Sequence, residues 1–134
     1  MERKHTPASQ AGLTIKKIDF AFSVCKVKDY SQVNLQSEFC FTGKTDDENS
    51  LVCITDHVPG NVITRDDGWR AFRIQGILDF SLIGILSKIA ALMAENEIGI
   101  FVLSTYHTDY ILTKEYHFEK ALKILSESGY TIVG

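Results

Sequence analysis

Residues 68–110 read GWRAFRIQGILDFSLIGILSKIAALMAENEIGIFVLSTYHTDY. From Ser81 to Glu95 the apolar residues Leu82, Ile85, Leu86, Ile89, Leu92 and Met93 recur at i, i+3 and i+4, which places one stripe along one helix face. Asp79 and Ser81 are residue types that cap helix amino termini, and Asn96 suits a left-handed terminator, so the pattern predicts a helix bounded at both ends. Before it, Phe72 and Ile74 alternate with Arg73 and Gln75 as in a half-buried strand, and Gly76 interrupts the run. After it, the unbroken apolar run Ile100, Phe101, Val102, Leu103 predicts a central strand covered on both faces.

The chain then turns at His107-Thr108 and returns as a strand through Tyr110, Ile111 and Leu112. A second amphipathic helix starts at His117, with Phe118, Ala121, Leu122 and Leu125 at helical spacing and Gly129 just past its end. Tyr130 to Val133 form a closing strand. The order β-α-β-β-α-β is the ferredoxin-like unit, with two helices on one face of an antiparallel sheet and the other face open. In so small a unit an exposed apolar face asks for a partner, either a second copy of the unit or another protomer.

Two ordered runs carry a family resemblance: Gly76-Ile77-Leu78-Asp79-Phe80-Ser81-Leu82-Ile83-Gly84-Ile85-Leu86 and Ser104-Thr105-Tyr106-His107-Thr108-Asp109-Tyr110. The segment resembles an ACT domain, and specifically the small amino-acid-binding ACT proteins related to the cytosolic arginine sensors. The resemblance covers the second half of the chain closely and the first half loosely. It implies an α+β fold of two ferredoxin-like (ACT, βαββαβ-type) units packed side by side, the first abbreviated. Residues 1–12 would be a flexible amino terminus, 13–67 a divergent ACT-like unit and 68–134 the ACT domain.

The first half supports that division by its strands. Ile18, Phe20, Phe22 and Val24 alternate with Asp19, Ala21, Ser23 and Cys25, Glu38 to Thr42 repeats the pattern through Phe39 and Phe41, and Leu51 to Thr55 is a third β-type run. Between them only Asp46-Asp47-Glu48-Asn49 could make a helical turn. Val58 to Asp67, with Pro59 and Gly60, reads as the link between the units.

Composition narrows the function classes. The chain has 134 residues, 45% of them hydrophobic, with 14 Lys and Arg against 17 Asp and Glu and a net charge of −3. No basic cluster is present to neutralise a phosphate backbone, which argues against nucleic acid, and neither a membrane surface nor a spanning segment is indicated. Met1 to Gly12 lacks the apolar core of a secretory signal, so a cytoplasmic protein is expected. Cys25, Cys40 and Cys53 are odd in number, lack a C-x-x-C spacing and lie in strand-like runs, which reads as buried reduced thiols. Thr42-Gly43-Lys44-Thr45 contains a GKT, but Glu38 stands where a phosphate loop needs its first glycine. Asp56-His57 and His107-Thr108-Asp109 are candidate metal ligands without supporting spacing, so no metal or cofactor is expected.

The site reading rests on ligand chemistry. An amino acid offers a carboxylate, which a helix amino terminus suits through its unpaired amides and partial positive charge, and Phe80 to Gly84 would supply that end. The ammonium needs acceptors, for which Asp109, Ser104, Thr105 and nearby carbonyls are natural complements. By resemblance the ligand lies at the interface of two ACT units, with Asp79, Phe80, Ser81, Leu82, Ile83 and Gly84 on one wall and Ser104, Thr105, Tyr106, Thr108 and Asp109 on the other. The arginine sensors join two ACT pairs in one chain, whereas this chain has one pair, so a comparable four-unit site needs a homodimer. Tyr106 and the missing second acidic group depart from those sensors. The reading is a sensor of a free amino acid with no catalytic residues. The competing readings are a small enzyme using Asp109 with a histidine or cysteine, and a dimerisation module without a ligand.

Overall fold

Alternating burial, interrupted by turn residues, divides the described residues into seven strands and two helices. The computed structural model describes residues 13–75 and 84–134. The elements are β1 (Thr14–Val27), β2 (Cys40–Lys44), β3 (Asn49–Ile54), a 3-10 turn (Thr55–His57), β4 (Val62–Gln75), α1 (Ile85–Glu95), β5 (Phe101–Ser104), β6 (Asp109–Lys114), α2 (Glu115–Glu127) and β7 (Thr131–Val133). They form a mixed α/β fold. Two compact units divide the chain, one made of residues up to Asp19 with Arg70–Gly134 and the other of Phe20–Trp69. The long strands β1 and β4 each contribute one part to either unit.

In the first unit the strand order is β7-β1-β4-β6-β5. Thr14, Ile15 and Lys16 lie opposite Thr131, Ile132 and Val133 in parallel, so the start of β1 stands between the closing strand and β4. The alternation of Leu13 and Ile15 announces this extra strand, but Lys16-Lys17 breaks it before Ile18. One core cluster joins Leu13, Ile15, Phe72, Ile74 and Ile111 from the strands with Ile85, Ile89 and Met93 of α1 and Phe118, Ala121, Leu122 and Leu125 of α2. Burying each large side chain there contributes about 1.5–3 kcal/mol. Leu86 and Leu92 pack on it half-buried, while Leu82 lies outside the described residues. The Arg70 guanidinium sits 4.8 Å over the Phe118 ring, and one of its nitrogens donates to the Ile18 carbonyl at 3.4 Å.

The run Ile100 to Leu103 is not a central strand. β5 ends the strand order, pairs only with β6 among the described residues, and leaves Phe101, Val102 and Leu103 half-buried. An apolar run signals coverage on both faces, yet an edge strand that awaits a partner carries the same signal.

Both helices end in the same way. At α2 the Tyr130 N–H donates to the Leu125 carbonyl and the Gly129 N–H to the Ser126 carbonyl, each at 3.1 Å, with Gly129 left-handed at φ 103°. At α1 the Ile98 N–H donates to Met93 at 2.9 Å and the Glu97 N–H to Ala94 at 3.0 Å. This is the Schellman arrangement, which requires a left-handed residue just after the helix. That residue is Glu97, with φ 60°, and not Asn96, whose Nδ2 instead donates to the Leu92 carbonyl at 2.8 Å.

The second unit orders its strands β2-β3-β1-β4. Its core gathers Cys25, Val27, Leu51 and Cys53, so the face of β1 that carries Ser23 and Cys25 is buried, while Phe20 on the opposite face is partly exposed. Phe22 is nevertheless buried, 6.0 Å from the Phe39 ring. Residues 45–48 form no helical turn. They close the β2–β3 hairpin, where the Thr45 hydroxyl accepts from the Asp47 and Glu48 amides, both at 3.1 Å. The Val58 to Asp67 stretch is also more ordered than a link, since β4 begins at Val62 and runs on through Gly68, whose φ of 85° glycine adopts without penalty.

A left-handed glutamate at a position made for glycine is a local misfit of about 1 kcal/mol. Glu97→Gly should therefore raise the melting temperature by roughly 3 °C. Calorimetry showing an unchanged or lower melting temperature would refute the strain.

Candidate functional site

The site begins with the two-residue period of β4. Phe72 and Ile74 point into the helix-covered core, so Arg73 and Gln75 stand on the opposite face. β4 neighbours β6 in the sheet, which brings Tyr110 beside Arg73. One Arg73 Nη donates to the Tyr110 hydroxyl at 3.0 Å, and its Nε and other Nη donate to Gln75 Oε1 at 3.3 and 3.1 Å. The guanidinium carbon lies 5.9 Å from the Tyr110 ring centre. A guanidinium has five N–H donors, so two remain after these three bonds.

The β5–β6 turn supplies the facing wall. Ser104 and Asp109 are the last paired residues, and Ser104 Oγ donates to Asp109 Oδ1 at 2.5 Å. Across the turn the Thr105 amide donates to the Thr108 carbonyl at 2.8 Å, and the Thr105 hydroxyl donates to the same oxygen at 3.1 Å. Thr108 Oγ1 donates to the Ile74 carbonyl at 2.6 Å, which ties the turn to β4. Between these walls lies an open cleft of ≈ 320 Å³ lined by Arg73, Ile74, Gln75, Thr105, His107, Thr108 and Tyr110. That volume is at the lower end of small-molecule sites.

Of the residues singled out from sequence, the structure brings Thr105 and Thr108 into the cleft. Ser104 and Asp109 lie one step away as the hairpin's paired base, and Tyr106 projects into solvent, 97% exposed. Gly84 is the residue before α1, left-handed at φ 103°, with its carbonyl accepting from the Lys88 amide at 2.9 Å. Asp79, Phe80, Ser81, Leu82 and Ile83 lie outside the described residues. Sequence reasoning missed Arg73, Gln75 and Tyr110 as lining groups. The signal was present, because the first and third strands of a β-α-β-β unit are neighbours and the alternation of β4 already set Arg73 and Gln75 on one face.

The family model of the ACT domain matches residues 64–127, the stretch that carries most of β4, both helices and the β5–β6 hairpin. The chain is similar to a solved protein of Agrobacterium tumefaciens, at 28% identity and a TM-score of 0.78 over 90% of this chain and 92% of that one. It is also similar to a Vibrio cholerae protein of unknown function, described as a possible transport protein, at 16% identity and a TM-score of 0.73 over 92% and 94%. A third likeness is to the aspartate kinase of Clostridium acetobutylicum, described as an allosteric enzyme, at 15% identity and a TM-score of 0.63 over 87% of this chain and 34% of that one. The last two likenesses carry the fold alone. No curated protein matches this chain in sequence. ACT domains as a family are regulatory modules that bind amino acids.

Among the described residues, no group of three or more His, Cys, Asp and Glu is placed to hold a metal, and no helix is long and apolar enough to cross a membrane. Cys25, Cys40 and Cys53 are free thiols, with Cys40 directly opposite Cys53 in the β2–β3 pair. Burial, followed by the neighbouring Cys25 and Cys40, pushes the Cys53 thiol up to about 12. Burial also raises Cys25 and Cys40. Nucleophilic thiols need the opposite shift.

Cys53 should resist alkylation at pH 8 in the folded protein and react on unfolding, with half-buried Cys40 modified first. A raised thiol pKa keeps its stabilising effect below the unfolded value near 9, so stability should fall as pH rises from about 9 toward 12. Labelling of Cys53 at equal rates in folded and denatured protein would reverse this assignment.

Proposed function

We propose that this chain is a regulatory amino-acid sensor that holds its ligand in the cleft between the end of β4 and the β5–β6 turn. The observation that carries the reading is the cleft itself, in which a guanidinium and a set of polar oxygens converge beside the ACT-domain hairpin. The amides of Ser81, Leu82, Ile83 and Gly84 would receive the ligand's α-carboxylate, with Asp79 and Phe80 shaping that entry. Thr105 and Thr108 would take the ammonium, with Asp109, one step from the cleft at the hairpin's base, adding its negative charge from there. Asp109 Oδ1 already accepts from Ser104, so Ser104 would act by holding that carboxylate in place.

The residues 20–69 unit is proposed as an abbreviated copy of the ACT unit. Support comes from the two hairpins. In each, a four-residue turn joins the last paired residues, Lys44 with Asn49 and Ser104 with Asp109. In each, a leading threonine donates its amide to the carbonyl three residues on, Thr45 to Glu48 at 3.0 Å and Thr105 to Thr108 at 2.8 Å. The proposed likeness to the two-unit arginine sensors extends to architecture alone, because the described cleft lining contains no carboxylate for an arginine side chain.

A second copy of the chain is proposed to pair along β5, whose Phe101, Val102 and Leu103 form an uncharged apolar edge. Tyr106 would then be available to cover the partner's ligand. A cytoplasmic location fits a sensor of free amino acids.

Mass spectrometry of denatured purified protein, followed by melting with each proteinogenic amino acid, tests the ligand. Binding at one hundred times Kd should stabilise the protein by about 2.7 kcal/mol and return the ligand unchanged. No amino acid raising the melting temperature would overturn the sensor reading in favour of a bare dimerisation module, and turnover would favour an enzyme. Sedimentation at micromolar concentration should show a dimer that Leu103→Lys dissociates. A monomeric wild type would sink the β5 interface.

A further inference from the structure

We infer that Arg73 reads a carboxylate of the ligand; this rests on the sensor reading above and on the side chains of Arg73, Gln75, Tyr110 and the turn threonines alone. The described arginines differ in their partners. Arg65 lies 3.0 Å from Asp67 Oδ1, and Arg70 lies 3.6 Å from Asp19 and 3.5 Å from Glu115. Arg73 has no carboxylate partner among the described residues. A phenol and an amide hold it instead, Tyr110 at 3.0 Å and Gln75 Oε1 at 3.3 and 3.1 Å, and both are neutral. A half-buried cation without a counter-charge loses part of its hydration, and a bound anion offsets that loss.

The protons around the cleft are divided in the same sense. The three bonds of Arg73 leave one N–H on each Nη, and a carboxylate has two oxygens to accept them. Gln75 Oε1 uses both lone pairs on Arg73, so that side chain offers a ligand only its amide N–H groups. With Gln75 on one side of the guanidinium and Tyr110 on the other, the fork is pre-organised, and less side-chain freedom is lost on binding. The turn end has the opposite polarity. Thr105 gives its one hydroxyl proton to the Thr108 carbonyl and Thr108 gives its own to the Ile74 carbonyl, which leaves lone pairs that suit an ammonium. The cleft lining has no acidic group to compete for Arg73. An amino acid carries an α-carboxylate and, if acidic, a second one on its side chain; the same guanidinium chemistry serves either, and amidation separates them.

Melting of the full chain with each proteinogenic amino acid and its α-amide, followed by calorimetric titration of those that stabilise it, tests this. Asparagine and glutamine serve as the side-chain amides of aspartate and glutamate. Amidating the carboxylate that Arg73 reads should weaken binding about tenfold or more in the wild type and no more than about twofold in Arg73→Met. A difference of that kind at the α-amide assigns the α-carboxylate to Arg73, and one at the side-chain amide assigns the distal carboxylate; either supports the inference. Arg73→Lys, which keeps the charge without the fork, should retain only part of the difference, and it carries the test if Arg73→Met does not fold. If amidation of every carboxylate weakens binding equally in the wild type and in the folded variants, Arg73 reads none of them, and the inference is wrong while the sensor reading survives. If no amino acid binds, the sensor reading itself fails and the inference falls with it.

Discussion

Successive side chains of a strand leave opposite faces, so the burial of Phe72 and Ile74 beneath two helices obliges Arg73 and Gln75 to face away from them. A slip of one residue along β4 would exchange the two sets. It would expose Phe72, forfeiting about 1.5–3 kcal/mol, and bury a guanidinium away from its partners at a penalty of several kcal/mol. The register of β4 is therefore strongly specified by the core. The position of Arg73 in the cleft follows from hydrophobic packing on the other side of the sheet.

The same core fixes the turn that faces Arg73. Ile111 on β6 is buried in the helix-covered cluster, and Tyr110, one residue before it, must stand on the cleft side. Its hydroxyl meets the Arg73 fork from there. The bond from Thr108 to the Ile74 carbonyl joins the turn to the last residues of β4. A buried carbonyl left without that donor would lose about 1–3 kcal/mol, so the turn is held to the strand and does not hang free. Ser104 and Asp109 close the hairpin from its base. Side chains that look like ligand groups in the sequence are thus partly engaged in building the wall that a ligand would meet.

Much of this was legible from the residues. Both helical stripes, the Gly129 terminator, the hairpin around Thr105 to Thr108 and the β-α-β-β-α-β order follow from periodicity and turn chemistry alone. What stayed hidden has physical causes. Lys16-Lys17 breaks the alternation that would have shown β1 starting at Thr14. Asp66-Asp67-Gly68 has the composition of a turn, yet Gly68 takes a positive φ inside β4 and the strand continues. Glu97 occupies the left-handed site that residue type alone assigns to Asn96, because the hydrogen-bond geometry of the helix end and not propensity decides which residue follows the cap. Arg73 was visible as half of an alternating pair. Its anchoring depends on a neighbour, Tyr110, that is 37 residues away in sequence.

Among the outer strands β2, β5 and β7, β2 and β5 differ in a way that bears on assembly. β2 reads Cys40-Phe41-Thr42-Gly43-Lys44, and its exposed end carries a glycine and a lysine, residues that blunt an edge against further pairing. β5 reads Phe101-Val102-Leu103-Ser104, with no charge, no proline and no glycine, and its three apolar side chains are only half-buried. An edge of that kind left open is an aggregation hazard, and the contrast with β2 is consistent with a use for β5. The unguarded strand leads directly into the turn that lines the cleft. Pairing at β5 and occupancy of the cleft would then be linked through the shared hairpin, so that whatever orders the turn also orders the edge, and binding and association would each favour the other by the same free energy.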